Sequence, residues 1–143
     1  MPRYEMPGAD APDFSALTKF AQGYVEAAFF TACGDPDDEL DGKGFSDLSA
    51  ETVAEIVREC EDFRADNAPM IEALIEDGGP GGDYDEAAAG RDFWFTRNGH
   101  GVGYWDRGFA GDLGLVAQHL SDAAERAGQK DIYLGDDGTV YGM

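Results

Sequence analysis

Positive charge is scarce in this sequence. The 143 residues include 10 lysines and arginines against 30 aspartates and glutamates, which gives a formal net charge of −20 at pH 7. A chain with this balance repels the phosphates of nucleic acids and of anionic membranes, so direct binding to either is not expected. We predict basic protein surfaces as its electrostatic partners. A proteome that is acidic throughout would give the same balance, with the charge serving solubility alone.

Long hydrophobic runs are also missing. No segment reaches the roughly 18 apolar residues that a membrane-spanning helix needs. The N-terminal residues, MPRYEMPGADAPDF, lack the basic and apolar regions of a secretory signal. We therefore expect a cytoplasmic protein, and the length favours a single domain that covers residues 1–143.

Side chains that commonly carry metal and nucleophilic chemistry are few. The chain has two cysteines and two histidines, and these four residues are not at the spacing of zinc ligands. Neither a nucleophile motif nor a phosphate-binding glycine loop is present. We predict no metal, no cofactor and no enzymatic activity. The rival hypothesis is a small enzyme that uses His100, which has a glycine on each side.

One acidic segment partly matches a calcium-binding loop. Counted from Asp37, the sequence DDELDGKGFSDL has acidic residues at positions 1, 3 and 5 and a glycine at position 6. Position 12, where the bidentate carboxylate belongs, is Leu48. We interpret the segment as an acidic loop, with weak calcium binding as the alternative.

Three stretches have apolar residues at helical spacing. The first covers residues 12–32. The second begins after Ser49, a residue type that often caps helix N-termini. The third covers residues 113–127 and is stopped by Gly128.

The second helical stretch contains an interruption. Pro69 predicts a break near Asn67, because proline lacks a backbone donor and clashes with the preceding turn. A shorter helix then leads to DGGPGGDYD at residues 77–85, which we predict to be a flexible internal loop.

Two segments have the pattern of β-hairpins. In DFWFTRNGHGVGYWDRG, residues 92–108, aromatic residues alternate on both sides of an Asn-Gly pair, which is a strong hairpin signal. The tail, DIYLGDDGTVYGM, predicts a second hairpin with its turn at Asp137 and Gly138. The predicted fold class is therefore α+β, with a four-stranded antiparallel sheet of two β-hairpins packed against three to four helices.

The first predicted hairpin has two faces. One face would contribute Phe93, Phe95, Val102 and Tyr104 to the core. The other face would present a contact surface made of Trp94, Arg97, His100 and Trp105. Two exposed tryptophans favour an interface that buries them, either with a target protein or with a second copy in a homodimer.

Acidic residues are concentrated in the middle of the chain. Residues 35–86 contain 18 acidic residues against three basic ones. On the second predicted helix the acids recur at steps of three or four, so they share one face. The candidate partner-binding acids are Asp37, Asp38, Glu39, Asp41, Glu51, Glu55, Glu59, Asp62 and Asp66. Residues four positions apart are separated by a rise of about 6 Å along a helix, which is close to the separation of neighbouring phosphates on a nucleic-acid strand. We therefore hypothesise that the acidic surface mimics nucleic acid. The alternative is a solvated helix face that serves solubility.

The segment GRDFWFTRNGHGVGYWDRG, with DGKGFSDLS before it and DIYLGDDGTVYG at the end, resembles a family of small acidic proteins of bacteriophages and related mobile elements. The resemblance runs from about residue 29 to the C-terminus. It implies an accessory phage protein in a bacterial cell, but no catalytic residues. The predicted function is inhibition of a host nucleic-acid-binding defence protein, such as a restriction or CRISPR-type nuclease, by the acidic surface. The alternative is an interaction module that uses the Trp94/Trp105 face.

Overall fold

The structure is a computed structural model, and it describes residues 14–32, 43–99 and 103–142. These residues form five helices and one two-stranded antiparallel sheet. The helices are α1 (Lys19–Ala32), α2 (Ala50–Asp66), α3 (Ala68–Asp77), α4 (Glu86–Arg97) and α5 (Asp112–Arg126), and the strands are β1 (Ile132–Leu134) and β2 (Val140–Gly142). Short 3-10 turns lie at Phe14–Ala16, Phe45–Asp47 and Tyr104–Asp106. None of the described helices is long and apolar enough to cross a membrane.

The predicted four-stranded sheet is wrong, because the first strand of its first hairpin is the second half of α4. Asp85 caps the N-terminus of the helix, and its side chain accepts a hydrogen bond from the Ala88 backbone N–H at 2.9 Å. Asn98 caps its C-terminus, and Gly99 follows with φ +66°. A glycine at positive φ ends helices as readily as it makes hairpin turns. The Asn-Gly pair is therefore a helix terminator here.

Helix α4 is buried around most of its circumference, which explains the misleading alternation. Side chains on both predicted strand faces are buried, so a period-two pattern fits the sequence by accident. Phe93 and Tyr104 are core residues, as predicted, and Phe95 is partly buried. The ring of Phe93 stacks on that of Phe63 from α2, with centroids 4.0 Å apart. Val102 lies outside the described residues.

Helices α1 and α4 touch backbone to backbone. A Cβ atom added to Gly90 would lie 1.8 Å from the carbonyl oxygen of Phe20, and one added to Gly23 would lie 1.9 Å from that of Ala87. Only glycine permits so close an approach. This contact places α4 at the centre of the molecule, with α1 against it.

The other predicted elements are largely confirmed. The side chain of Ser49 caps α2 by accepting a hydrogen bond from Thr52 N at 3.1 Å. Helix α2 ends at Asp66, and α3 has a proline in its first turn, as Pro69 predicted. Helix α5 matches the third stretch, while α1 begins at Lys19.

The C-terminal hairpin is also confirmed. Its register pairs Tyr133 with Tyr141 and Leu134 with Val140. Of the predicted loop at residues 77–85, Asp77 is the last residue of α3, and residues 78–85 connect α3 and α4 without a helix or strand. Near the end of that connection Tyr84 is buried, and its backbone N–H donates to the carbonyl of Gly78 at 3.0 Å.

Candidate acidic binding surface

Helix α2 carries the predicted row of acids, and the structure divides it into two groups. Glu51, Asp62 and Asp66 are exposed, and none of them forms an ion pair with a described side chain. Glu55 and Glu59 are only half exposed. These two residues are bound by cations of the protein itself.

Glu59 is the acidic partner of a buried arginine. Its Oε1 atom lies 3.1 Å from Nη1 of Arg97, whose side chain is 4% exposed. The same Nη1 lies 3.1 Å from the hydroxyl of Tyr24, a side chain with no exposed surface. Arg97 also lies over the ring of Phe93, 5.1 Å from its centroid. The guanidinium therefore joins α1, α2 and α4.

Arg97 also satisfies the end of α5. Its Nη2 donates to the carbonyl of Ala127 at 3.0 Å, and its Nε donates to the carbonyl of Gly128 at 2.7 Å. The last carbonyls of a helix lack partners within the helix and favour nearby cations. Arg97 is thus a structural hub, and its predicted role as an exposed contact residue on a hairpin is wrong.

Glu55 has a similar partner. Its Oε1 lies 3.5 Å from Nζ of Lys130, whose side chain is 8% exposed. The backbone N–H of Lys130 donates to the side chain of Asn98 at 2.8 Å. The pair therefore ties α2 to the segment after α5. Sequence spacing shows that Glu55 and Glu59 share a helix face, but it cannot show which cations the fold brings to them.

The remaining charge on α2 is mixed. Glu61, which the row did not include, is exposed, and so is Arg58. Arg58 lies four positions before Asp62, so the two side chains are neighbours on the helix surface. The exposed acids therefore form two patches, one at Glu51 and one at the C-terminal end of the helix.

The whole described surface has an excess of unpaired acids. The described residues hold 22 aspartates and glutamates and nine lysines and arginines. Five of these cations form ion pairs with six of the acids. The internal pairs use most of the positive charge, so most of the exposed carboxylates form no ion pair within the described part of the chain.

The predicted tryptophan face does not exist. Trp94 is 3% exposed, and its indole N–H donates to the hydroxyl of Thr31 at 2.9 Å. Its ring packs edge-on against Tyr24 with centroids 5.3 Å apart. Trp105 is 51% exposed and lies on a separate 3-10 turn. Because residues 92–97 are helical, Trp94 turns into the core.

Several predicted residues lie outside the described part of the chain. They are Asp37, Asp38, Glu39, Asp41 and His100, together with Cys33 and the first half of the partial calcium loop. The other cysteine, Cys60, is buried, and burial together with the nearby charge of Glu59 raises its thiol pKa.

A second buried ion pair was not predicted. The carboxylate of Asp92 has no exposed surface and accepts hydrogen bonds from Arg107 Nε at 3.0 Å and from the hydroxyl of Tyr84 at 2.9 Å. Burial raises the pKa of Asp92, and the hydrogen bonds from Arg107 oppose that rise. The same burial and the charge of Asp92 raise the pKa of Tyr84. The cluster fastens the segments before and after α4 to that helix.

Comparison of the chain with protein-family models, with curated proteins and with solved structures found no match.

Proposed function

We propose that this protein is a bacteriophage accessory protein that binds and inhibits a nucleic-acid-binding defence protein in the cytoplasm of a bacterial host. The observation that carries the proposal is the set of exposed, unpaired acids on α2, Glu51, Asp62 and Asp66. The phage context rests on the resemblance of the segment around residues 90–108 and of the C-terminal segment. The mode of inhibition is occupation of a basic groove in place of nucleic acid.

The scaffold under these acids favours such a role. Helix α2 is capped by Ser49 and tied at its middle by the pairs Glu55–Lys130 and Glu59–Arg97. Acids on a helix fixed in this way keep their spacing, so a partner need not order them on binding. Asp62 and Asp66 are separated by a rise of about 6 Å. That separation is comparable with the distance between neighbouring phosphates on a strand.

The energetics of such binding are electrostatic. A basic groove attracts counterions, and an acidic ligand that releases them binds tightly at low salt and weakly at high salt. Complementary potentials also raise the association rate. The proposed complex is therefore expected to form quickly and to dissociate as salt is added.

The first test is capture from bacterial lysate with two tagged baits, the wild type and the triple variant E51Q/D62N/D66N. The wild type is expected to retain a nucleic-acid-binding protein at low salt and to release it as salt rises. The triple variant is expected to retain about tenfold less of it, because three contacts of about 0.5 kcal/mol each are lost.

A matched control removes the same charge elsewhere. The variant E76Q/D83N/D136N neutralises three exposed acids outside α2 that have no ion pair with a described residue. It is expected to bind like the wild type. Equal losses in both variants would show that net charge alone matters. The purified partner is then offered its own DNA or RNA, which must compete with the protein; simultaneous binding would exclude mimicry.

A further inference from the structure

A groove of about 410 Å³ opens where α2, α4 and α5 end. The nearly buried side chains of Phe63 and Phe93 are among its lining residues. One wall carries Glu59, Asp62 and Asp66 from α2. A volume of this size accepts a side chain or a small molecule rather than a folded element.

Three helix C-termini converge on this groove. Asn67, the capping residue of α2, lines it, as do Arg97, the last residue of α4, and Ala127, the capping residue of α5. Each helix C-terminus carries roughly half a negative charge. The end of α2 is offset by the N-terminus of α3, which Asn67 also caps, and the end of α5 is offset by Arg97. The end of α4 adds to the negative potential of Asp62 and Asp66.

Neither of the two cations that line the groove forms an ion pair with Asp62 or Asp66 in the described part of the chain. Arg97 is already bound to Glu59 and to the last carbonyls of α5. Arg126 is exposed at the opposite wall and forms no ion pair with a described residue. Asp62 and Asp66 therefore face the groove without a cation of their own in the described part of the chain.

We propose that the groove binds an arginine side chain of the basic partner. The guanidinium would lie between Asp62 and Asp66, and its aliphatic stem would lie along Phe63 and Ala123. The groove combines apolar lining residues with the exposed carboxylates of Asp62 and Asp66. Arginine fits it better than lysine, because a planar, weakly hydrated guanidinium packs on apolar surface and donates several hydrogen bonds. This inference rests on the proposed function and names the contact that its acidic face would make.

The probe is a blocked tri-arginine peptide, titrated into the full-length, isotope-labelled protein and followed by amide NMR shifts. The matched control peptide contains citrulline, which has nearly the shape of arginine without its charge. We expect shifts at Asn67, Ala123 and Ala127 with the arginine peptide, and much smaller ones with the citrulline peptide. Equal shifts with both peptides would overturn the proposal.

Four variants separate the groove from general acidity. D62N/D66N is expected to weaken peptide binding about fivefold, which is the effect of losing two exposed charge pairs. R126Q is expected to strengthen it about twofold, because a repulsive charge is removed. A127L, which fills the groove without a change of charge, is expected to weaken binding. E76Q/D83N, which removes two exposed acids outside α2, is expected to leave binding nearly unchanged. If E76Q/D83N weakens binding as much as D62N/D66N, the attraction is diffuse and the groove is not a site.

The two proposals fail in different ways. Capture of a partner that competes with nucleic acid, without peptide shifts in the groove, would overturn the groove alone. Peptide binding with the expected variant pattern, when no nucleic-acid-binding protein is captured, would overturn the proposed function and leave the arginine site in place.

Discussion

Removal of the Arg97 guanidinium is expected to be among the most damaging single changes in the protein. The variant Arg97→Met keeps an unbranched side chain of similar length but loses hydrogen bonds to four groups, the carboxylate of Glu59, the hydroxyl of Tyr24 and the carbonyls of Ala127 and Gly128. Tyr24 is fully buried, so its hydroxyl would lose this partner away from water.

The magnitude follows from the burial of these groups. Removal of one partner from a buried ion pair costs about 3–5 kcal/mol, because the polar groups left behind stay desolvated. The side chain of Glu59 is 34% exposed, so water can solvate its carboxylate when Arg97 is removed. This limits the contribution of Glu59 to the loss of stability. We therefore expect a loss of about 3–4 kcal/mol in the free energy of unfolding. For a chain of this length that loss lowers the Tm by roughly 10 °C.

The assay is urea unfolding at pH 7, followed by far-ultraviolet circular dichroism. Arg58→Met is the matched control, since Arg58 is exposed on α2 and has no ion pair with a described side chain; its expected effect is below about 0.5 kcal/mol. Glu59→Gln retains an acceptor for Arg97 and is expected to cost about 1 kcal/mol. If Arg97→Met lowers the free energy of unfolding no more than Arg58→Met does, the structural role assigned to Arg97 is refuted.

Two further predictions concern α4. Gly90→Ala is expected to cost about 3 kcal/mol or more in urea unfolding, roughly the upper end for overpacking, because its Cβ would meet the Phe20 carbonyl at 1.8 Å. Gly114→Ala, whose Cβ would meet the Phe109 carbonyl at 3.2 Å, is expected to change the free energy of unfolding by less than about 1 kcal/mol, because a small shift relieves that contact and alanine favours a helix. Equal losses in the two variants would refute the close contact at Gly90. The raised pKa of Asp92 means that the folded protein binds the proton more tightly than the unfolded chain. As the pH falls from 7 towards 4, the free energy of unfolding of the wild type should therefore rise relative to that of Asp92→Asn; the opposite trend would show that pairing with Arg107 outweighs burial.

Local signals in the sequence predicted much of the fold. Ser49, Pro69 and Gly128 act through backbone chemistry that needs no tertiary context, and each one marks the helix boundary it predicted. The Asp137-Gly138 turn is equally local, and its hairpin is present. Each of these residues determines the backbone conformation of only a few neighbouring positions, so its effect can be predicted before the fold is known.

Helix α4 could not be predicted in the same way. Its residues are buried on nearly all sides, so they lack the polar stripe that marks a surface helix. The Asn-Gly pair is compatible both with a hairpin turn and with a helix terminus. The choice between these two structures depends on the contact with α1 at Gly90. A run of EAAAG after Asp85 is the signal that favours a helix, since alanine and glutamate are strong helix formers and aspartate is a good N-cap.

The acidic surface shows the same limit of sequence reasoning. Spacing along α2 placed five acids on one face, but the cations that neutralise two of them come from distant segments, at Arg97 and Lys130. The unpaired acids of the row are then Glu51 and, about 16 Å further along the helix axis, Asp62 and Asp66. A surface with such a gap would contact the basic groove of a partner at two separated points rather than along its whole length. The salt dependence of partner binding should accordingly reflect about three charges on α2 rather than five.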